Sequence, residues 1–326
     1  HRTPASSPFI RTGPEFRTCF VEKDCMASAF CSRLARSHGV SPRGTATEAT
    51  HWLLIEDPSP WSTDAVEYAA WGPSVHEAIA GWTDTMPDLR VQLIRRGLQR
   101  WDDPGRIRCI AVRAGPRPVV REWSLGAYGD LPALRVPEAL RGSGPALEAG
   151  PLVLTCVNGR RDACCAKWGR PVAQAVADAA PEAAWQTSHL GGHRFAPTAL
   201  VLPDGTHYGW LRPADMADLV GGHRDGHLHD LDRVRGAVHQ PRPVQAACLS
   251  LRQRRGATAL PAVRAVGLDE TDEGWAVRVR AEGEPRTAHV WQEQEGTPFP
   301  HSCGSREAKP QRAWRVSWTA DEAAGS

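Results

Sequence analysis

Two stretches of this chain carry the same order of secondary-structure signals, and that repetition narrows the available folds more than any bulk property does. In the first, His51-Trp-Leu-Leu-Ile-Glu56 is an apolar run of strand length closed by Asp57-Pro-Ser-Pro60, a turn signal. Residues 64–83 space Ala65, Val66, Ala69, Ala70, Val75, Ala78, Ile79 and Trp82 near a helical period, with Gly72-Pro73 placed to kink or split that helix. Three extended candidates follow, Val91 to Arg96, Ile107 to Arg113 and Val119 to Tyr128. A short helix from Val136 to Arg141 and a break at Gly142-Ser-Gly144 end the stretch.

The second stretch repeats the order. Leu152 to Thr155 is a strand running into Cys156, residues 166–180 are an alanine-rich helix, and Ala184 to Thr187 is short and extended. Thr198 to Leu202 and His207 to Leu211 form a hairpin around Pro203-Asp-Gly205, and Ala214 to Val220 is a helix opened by Pro213. This is close to a thioredoxin-like core. The expected class is α/β: two thioredoxin-like α/β units in tandem with a β-rich C-terminal extension. The extension has a helix near Val244 to Arg254 and strands near Trp275 to Arg280 and Ala288 to Gln292. The expected divisions are 26–145 for the first unit, 146–240 for the second and 241–326 for the extension. Residues 1–25 are rich in Pro, Ser, Thr and Arg and precede Met26, a credible natural start, so they are expected to lie outside the fold.

Composition excludes several classes. Lysine plus arginine (39) against aspartate plus glutamate (37) gives a net charge of +2, so charge offers no case for a nucleic-acid partner. No stretch approaches the roughly 20 apolar residues that span a bilayer, so no membrane partner is expected and the cytoplasm is the expected location. Nine cysteines in no regular framework read as free thiols or ligands rather than disulfides.

The chemistry sits in the second stretch. Cys156 and Cys165 form one pair, and His189 and His193 lie inside Ser188-His-Leu-Gly-Gly-His193. Thiolate and neutral imidazole both bind iron and zinc well. Structural zinc sites usually pair ligands as C-x2–4-C with H-x3–5-H, and the cysteine interval here is longer, a reach that an iron–sulfur cluster tolerates. Zinc remains the alternative cofactor. Gly191-Gly192 makes a tight loop whose backbone can come close to a bulky group. Arg161, Asp162 and Arg194 flank the ligands, either orienting them from behind or standing as surface charges.

Other clusters read as ordinary. His223, His227 and His229 sit among Arg, Asp and Gly as a solvated loop. Cys19, Cys25 and Cys31 straddle the suspected start, and Cys303, in Ser302-Cys-Gly304, is either a turn cysteine or a neighbour of the metal. No glycine-rich nucleotide fingerprint follows a strand.

The run Cys156-Val-Asn-Gly-Arg-Arg-Asp-Ala-Cys-Cys165, with Trp185 to Pro197 and Leu202-Pro-Asp-Gly-Thr-His-Tyr-Gly209, resembles the sucrase/ferredoxin-like family. Gly44-Thr-Ala46, Trp52 to Trp61 and Ser302-Cys-Gly304 extend the likeness. The resemblance implies a thioredoxin-like ferredoxin domain in which Cys156, Cys165, His189 and His193 ligate a 2Fe-2S cluster. It also places the second cysteine at Cys165 rather than Cys164. The function implied is one-electron transfer between redox partner proteins, a reductase and an electron acceptor. No pair of carboxylates stands out as the acid and nucleophile of a glycosidase, so sucrase activity is not expected. Two rivals remain: a thiol–disulfide redox enzyme using Cys164 or Cys165 at a helix N-terminus, and a zinc-stabilised interaction module.

Overall fold

The structure is a computed structural model and describes residues 30–96, 105–142, 150–283 and 285–319. It is a mixed α/β protein with one large mixed sheet and a separate antiparallel sheet. The large sheet has nine strands: β1 (His51–Glu56), β2 (Leu89–Arg95), β3 (Ile107–Arg113), β4 (Val119–Leu125), β5 (Leu152–Cys156), β6 (Ala184–Thr187), β7 (Ala199–Leu202), β8 (Thr206–Tyr208) and β9 (Val234–Ala237). Their spatial order is β4-β3-β1-β2-β6-β5-β7-β8-β9. Strand β1 runs parallel to β2 and antiparallel to β3, and β5 likewise runs parallel to β6 and antiparallel to β7. The two halves therefore share one connectivity, β2-β1-β3-β4 and β6-β5-β7-β8. They meet where β2 and β6 pair antiparallel at Ile94 with Thr187 and Arg95 with Gln186.

The helices cover the sheet as their apolar spacing requires. Helix α1 (Cys31–Ser37) precedes the sheet, and α2 (Pro73–Thr85) buries Val75, Ile79 and Trp82 against Leu53, Ile55 and Leu93. Helix α3 (Val136–Arg141) closes the first half, while α4 (Ala163–Ala179) buries Val172 and Val176 against Val153 and Val201. On the opposite face, Trp52, Leu54, Ile110 and Val112 of the first half join Leu154, Trp185, Leu200 and Leu202 of the second in one cluster. Covered on both sides, β1 reads as an unbroken apolar run rather than an alternating one.

Where expectation and structure part, local chemistry explains it. The helix expected over 64–83 begins only at Pro73, because proline suits the first helical position and holds Gly72 extended before it. Strand β4 stops at Leu125, where Asp130 accepts the Gly126 and Ala127 N–H groups and turns the chain. Helix α5 (Met216–Arg224) lies slightly later than expected, after a 3-10 turn at Pro213–Asp215. Beyond it the tail holds α6 (Arg242–Arg255) and four antiparallel strands: β10 (Arg264–Thr271), β11 (Gly274–Arg280), β12 (Arg286–Pro300) and β13 (Ala308–Trp318). Helix α6 is buried almost all round, because Leu249 faces the large sheet while Val244, Ala247, Cys248 and Leu251 face the small one. Among the described residues no helix is long and apolar enough to cross a membrane.

Candidate metal centre

Strand β5 ends at Cys156, and the Asp162 carboxylate starts α4 by accepting the Cys164 N–H at 2.9 Å. Nearly two turns into that helix stands Gly169, where any Cβ would collide with the Cys156 carbonyl oxygen. The helix thus seats directly on the end of the strand. Cys165 lies four residues before Gly169, on the same helical face, and so is presented to Cys156.

His189 is brought to the pair by the first half of the molecule. Strand β2 receives Ser188 through its N–H to the Leu93 carbonyl (2.9 Å) and its hydroxyl to Gln92 Oε1 (2.8 Å), while Arg90 Nη2 donates to the His189 carbonyl at 3.2 Å. His189 Nδ1 then lies 3.7 Å from Cys165 Sγ and 3.9 Å from Cys156 Sγ. The three ligand atoms fall within 4.8 Å of one another, close enough to share an ion. The Cys165 thiol hydrogen-bonds the Cys156 sulfur and lowers its pKa, while Cys165 itself is raised by the same contact.

His193 follows on a short 3-10 turn, its ring 5.3 Å from that of His189. Its Nδ1 is buried without a hydrogen bond, 3.8 Å from an Asp162 oxygen, and burial lowers its pKa. The loop between the histidines fits closely against Arg235. Gly191 and Gly192 take φ of +93° and +73°, and a Cβ on Gly192 would run into the guanidinium of Arg235. Arg235 is 2 % exposed and donates to the Gly191 carbonyl (3.0 Å), Thr45 Oγ1 (3.1 Å) and the Thr45 carbonyl, with its guanidinium over the Phe195 ring.

A second group adjoins the first. Cys164, next to Cys165 but turned about 100° around the helix, places its Sγ 3.5 Å from Cys31 and 3.1 Å from Cys303, which are themselves 3.6 Å apart. Asp162 completes this set, with oxygens 3.8 and 4.0 Å from Cys31 Sγ, and accepts hydrogen bonds from the Cys303 N–H and the Ser302 hydroxyl. The Cys164 thiol, hydrogen-bonded to Cys303, is pushed up to about 12, and the same contact holds Cys303 far below the usual thiol range. Asp162 therefore faces both groups.

The remaining charged and histidine residues divide. Arg161 pairs with Asp64 at the surface (2.9 Å), and the Arg194 guanidinium lies over the Phe195 ring at 4.6 Å. His223 belongs to no solvated loop: it is buried, bonded to Asp204 (2.9 Å) and to the Tyr208 hydroxyl (2.8 Å), and so braces α5 on β8. Cys19 and Cys25 lie outside the described residues. Sequence reasoning grouped Cys31 with Cys19 and Cys25 as an ordinary cluster rather than with Cys164 and Cys303, and it missed Arg235 altogether. Their partners stand far off in the chain, and only the Ser302-Cys-Gly304 likeness hinted at Cys303.

No curated protein and no solved structure matches the chain significantly. A family profile described as Sucrase/ferredoxin-like does match, over residues 42–236 of 326, a span that contains Cys156, Cys164, Cys165, Asp162 and both loop histidines. With more than half its length matched, the chain belongs to the sucrase/ferredoxin-like family.

Proposed function

We propose that the protein is a one-electron carrier, built from two thioredoxin-like units sharing one sheet, in which Cys156, Cys165, His189 and His193 hold a 2Fe-2S cluster. The observation that carries this reading is the convergence of two thiols and an imidazole at the end of β5, with a second imidazole stacked on the first whose buried Nδ1 has no other hydrogen-bond partner. Two soft and two borderline donors suit iron. The repeated strand order, with the ligands at a strand end and a helix start, supports the thioredoxin-like assignment.

When bound there, such a cluster takes up and gives back one electron, at about −150 to +300 mV where two imidazoles replace thiolates against about −400 mV for four cysteines. The chain's own residues prepare the site. Arg90 and Gln92 fix the His189 carbonyl, Arg235 fixes the loop behind it, and burial of Cys156 and Cys165 keeps water from the thiol side. The proposed partners are a reductase and an acceptor protein, and the proposed location is the cytoplasm, in keeping with seven free thiols among the described residues.

Anaerobic purification tests the reading. Iron and sulfide should appear in equal amounts, about two of each per chain, with a potential in the upper range. His189→Cys should move that potential down, since a thiolate adds negative charge. Colourless protein carrying zinc at these residues would instead make it a metal-stabilised module, and disulfide reductase activity surviving loss of both histidines would make it a thiol enzyme. Either result ends the electron-carrier reading.

A further inference from the structure

We propose that Cys31, Cys164, Cys303 and Asp162 form a second metal site, distinct from the Cys/His centre, that takes one zinc ion. The three sulfurs make a triangle with sides of 3.5, 3.1 and 3.6 Å, and a carboxylate oxygen lies within 4.8 Å of all three. A tetrahedral ion with bonds of about 2.3 Å to sulfur needs sulfurs about 3.8 Å apart and an oxygen about 3.5 Å from each. The Cys31–Cys164 and Cys31–Cys303 distances and the Asp162 oxygen 3.8 Å from Cys31 Sγ stand close to that arrangement, and the 3.1 Å Cys164–Cys303 pair would open on binding.

The triangle also argues about which metal. Its centre is only about 2.0 Å from each sulfur, so an ion at 2.3 Å sits above the plane and calls for a fourth ligand on that side. Asp162 supplies it. A trigonal, all-sulfur ion such as Cu(I) would have no use for a carboxylate, while magnesium and calcium would not choose three thiolates. Three sulfurs and one oxygen in a closed, buried set suit structural zinc.

The surroundings are those of a held ligand set. Asp162 Oδ1 accepts the Cys164 N–H and Oδ2 accepts the Ser302 hydroxyl and the Cys303 N–H, which orients the carboxylate and leaves one lone pair, on Oδ1, for the ion. The Cys31 N–H points at Cys303 Sγ at 3.5 Å. Cys31 and Cys164 are fully buried, and Cys303 is partly exposed and offers the ion a way in. Binding displaces thiol protons and ties together α1, the start of α4 and the loop between β12 and β13. Those segments are separated by 131, 139 and 272 residues.

Metal analysis of the full chain, purified anaerobically, decides the matter. Zinc should be present at about one per chain and fall to below about a tenth in Cys31→Ser and Cys303→Ser, with iron unchanged. Cys109→Ser, which alters a buried thiol elsewhere, should keep the zinc. Cys156→Ser should lose iron and keep zinc, so failure of the electron-carrier reading and failure of this one give different results. Should the serine variants misfold, the unaltered protein grown with cobalt carries the test, showing thiolate-to-cobalt charge transfer and tetrahedral d–d bands. Zinc absent from the unaltered protein would overturn the proposal. So would zinc unaffected by both substitutions, iron lost in step with zinc, or a Cys164–Cys303 disulfide in the anaerobic protein.

Discussion

At the residue scale, His207 shows how a buried side chain outside the ligand set ties the fold to pH. It is fully buried on β8, and Arg235 Nη1 lies 2.9 Å from its Nε2. A guanidinium can only donate, so that nitrogen must accept and the ring must be neutral. Burial, then the charge of Arg235, with Arg90 and His189 also facing it, hold its pKa well below the ordinary value of 6.5. In the unfolded chain the ring protonates below about pH 6.5, so the stability is complete above that pH and is lost on acidification. One such histidine accounts for about 1.4 kcal/mol between pH 7.5 and 5.5. His207→Gln keeps an acceptor for Arg235 and cannot titrate. Denaturation at the two pH values should show a smaller acid loss by about that amount, and an undiminished loss would refute the assignment. None of this was visible in the sequence, because Arg235 is 28 residues from His207 and only the fold joins them. The four proposed cluster ligands were visible, since each pair is local.

At the element scale, the seating of α4 on β5 decides where both sulfur pairs point. Gly169 permits it, because the Cys156 carbonyl oxygen occupies the space a Cβ would need. Gly169→Ala must therefore lift the helix from the strand, and overpacking against backbone costs about 1–3 kcal/mol or more. Gly221, in α5, meets nothing within 4 Å, so Gly221→Ala should gain up to about 1 kcal/mol from helix propensity. Chemical denaturation of the two variants should move in opposite directions, and a Gly169→Ala protein as stable as the parent would contradict the close approach. Element legibility followed the same physics. Strands β1, β3 and β6 and helix α3 fall where apolar runs and turn signals put them. Strand β9 escaped notice because Val234-Arg-Gly-Ala237 holds a buried arginine and a glycine at φ +148°. Strand β12 runs on through Glu293, Gln294 and Glu295, polar residues held by pairing with β13, Arg315 reaching Glu293 at 2.7 Å.

At the scale of the whole molecule, nothing in the packing of the described residues marks a seam at which one part would melt alone. The two halves share the cluster of Trp52, Leu54, Ile110, Leu154, Trp185 and Leu200, and β2 of one half holds the His189 loop of the other. Helix α6 joins the sheets, with Leu251 and Val244 packed on Val277, Val279, Val290 and Trp314 of the small sheet. Each buried Val or Leu adds about 1.5–3 kcal/mol, so the joint between sheets is comparable to the marginal stability of a whole domain, about 5–15 kcal/mol. Unfolding of the metal-depleted protein should therefore be one transition. Tryptophans report from both sheets, Trp52 and Trp185 in the large one and Trp275 and Trp314 in the small one, while far-ultraviolet dichroism reports mainly from the helices. The two signals should coincide through a urea titration. Leu54→Ala, which opens the shared cluster at a fully buried site, should shift both midpoints together by a loss of about 2–5 kcal/mol. A fluorescence step that precedes the loss of helix, or a Leu54→Ala shift confined to one signal, would show that the small sheet comes away by itself.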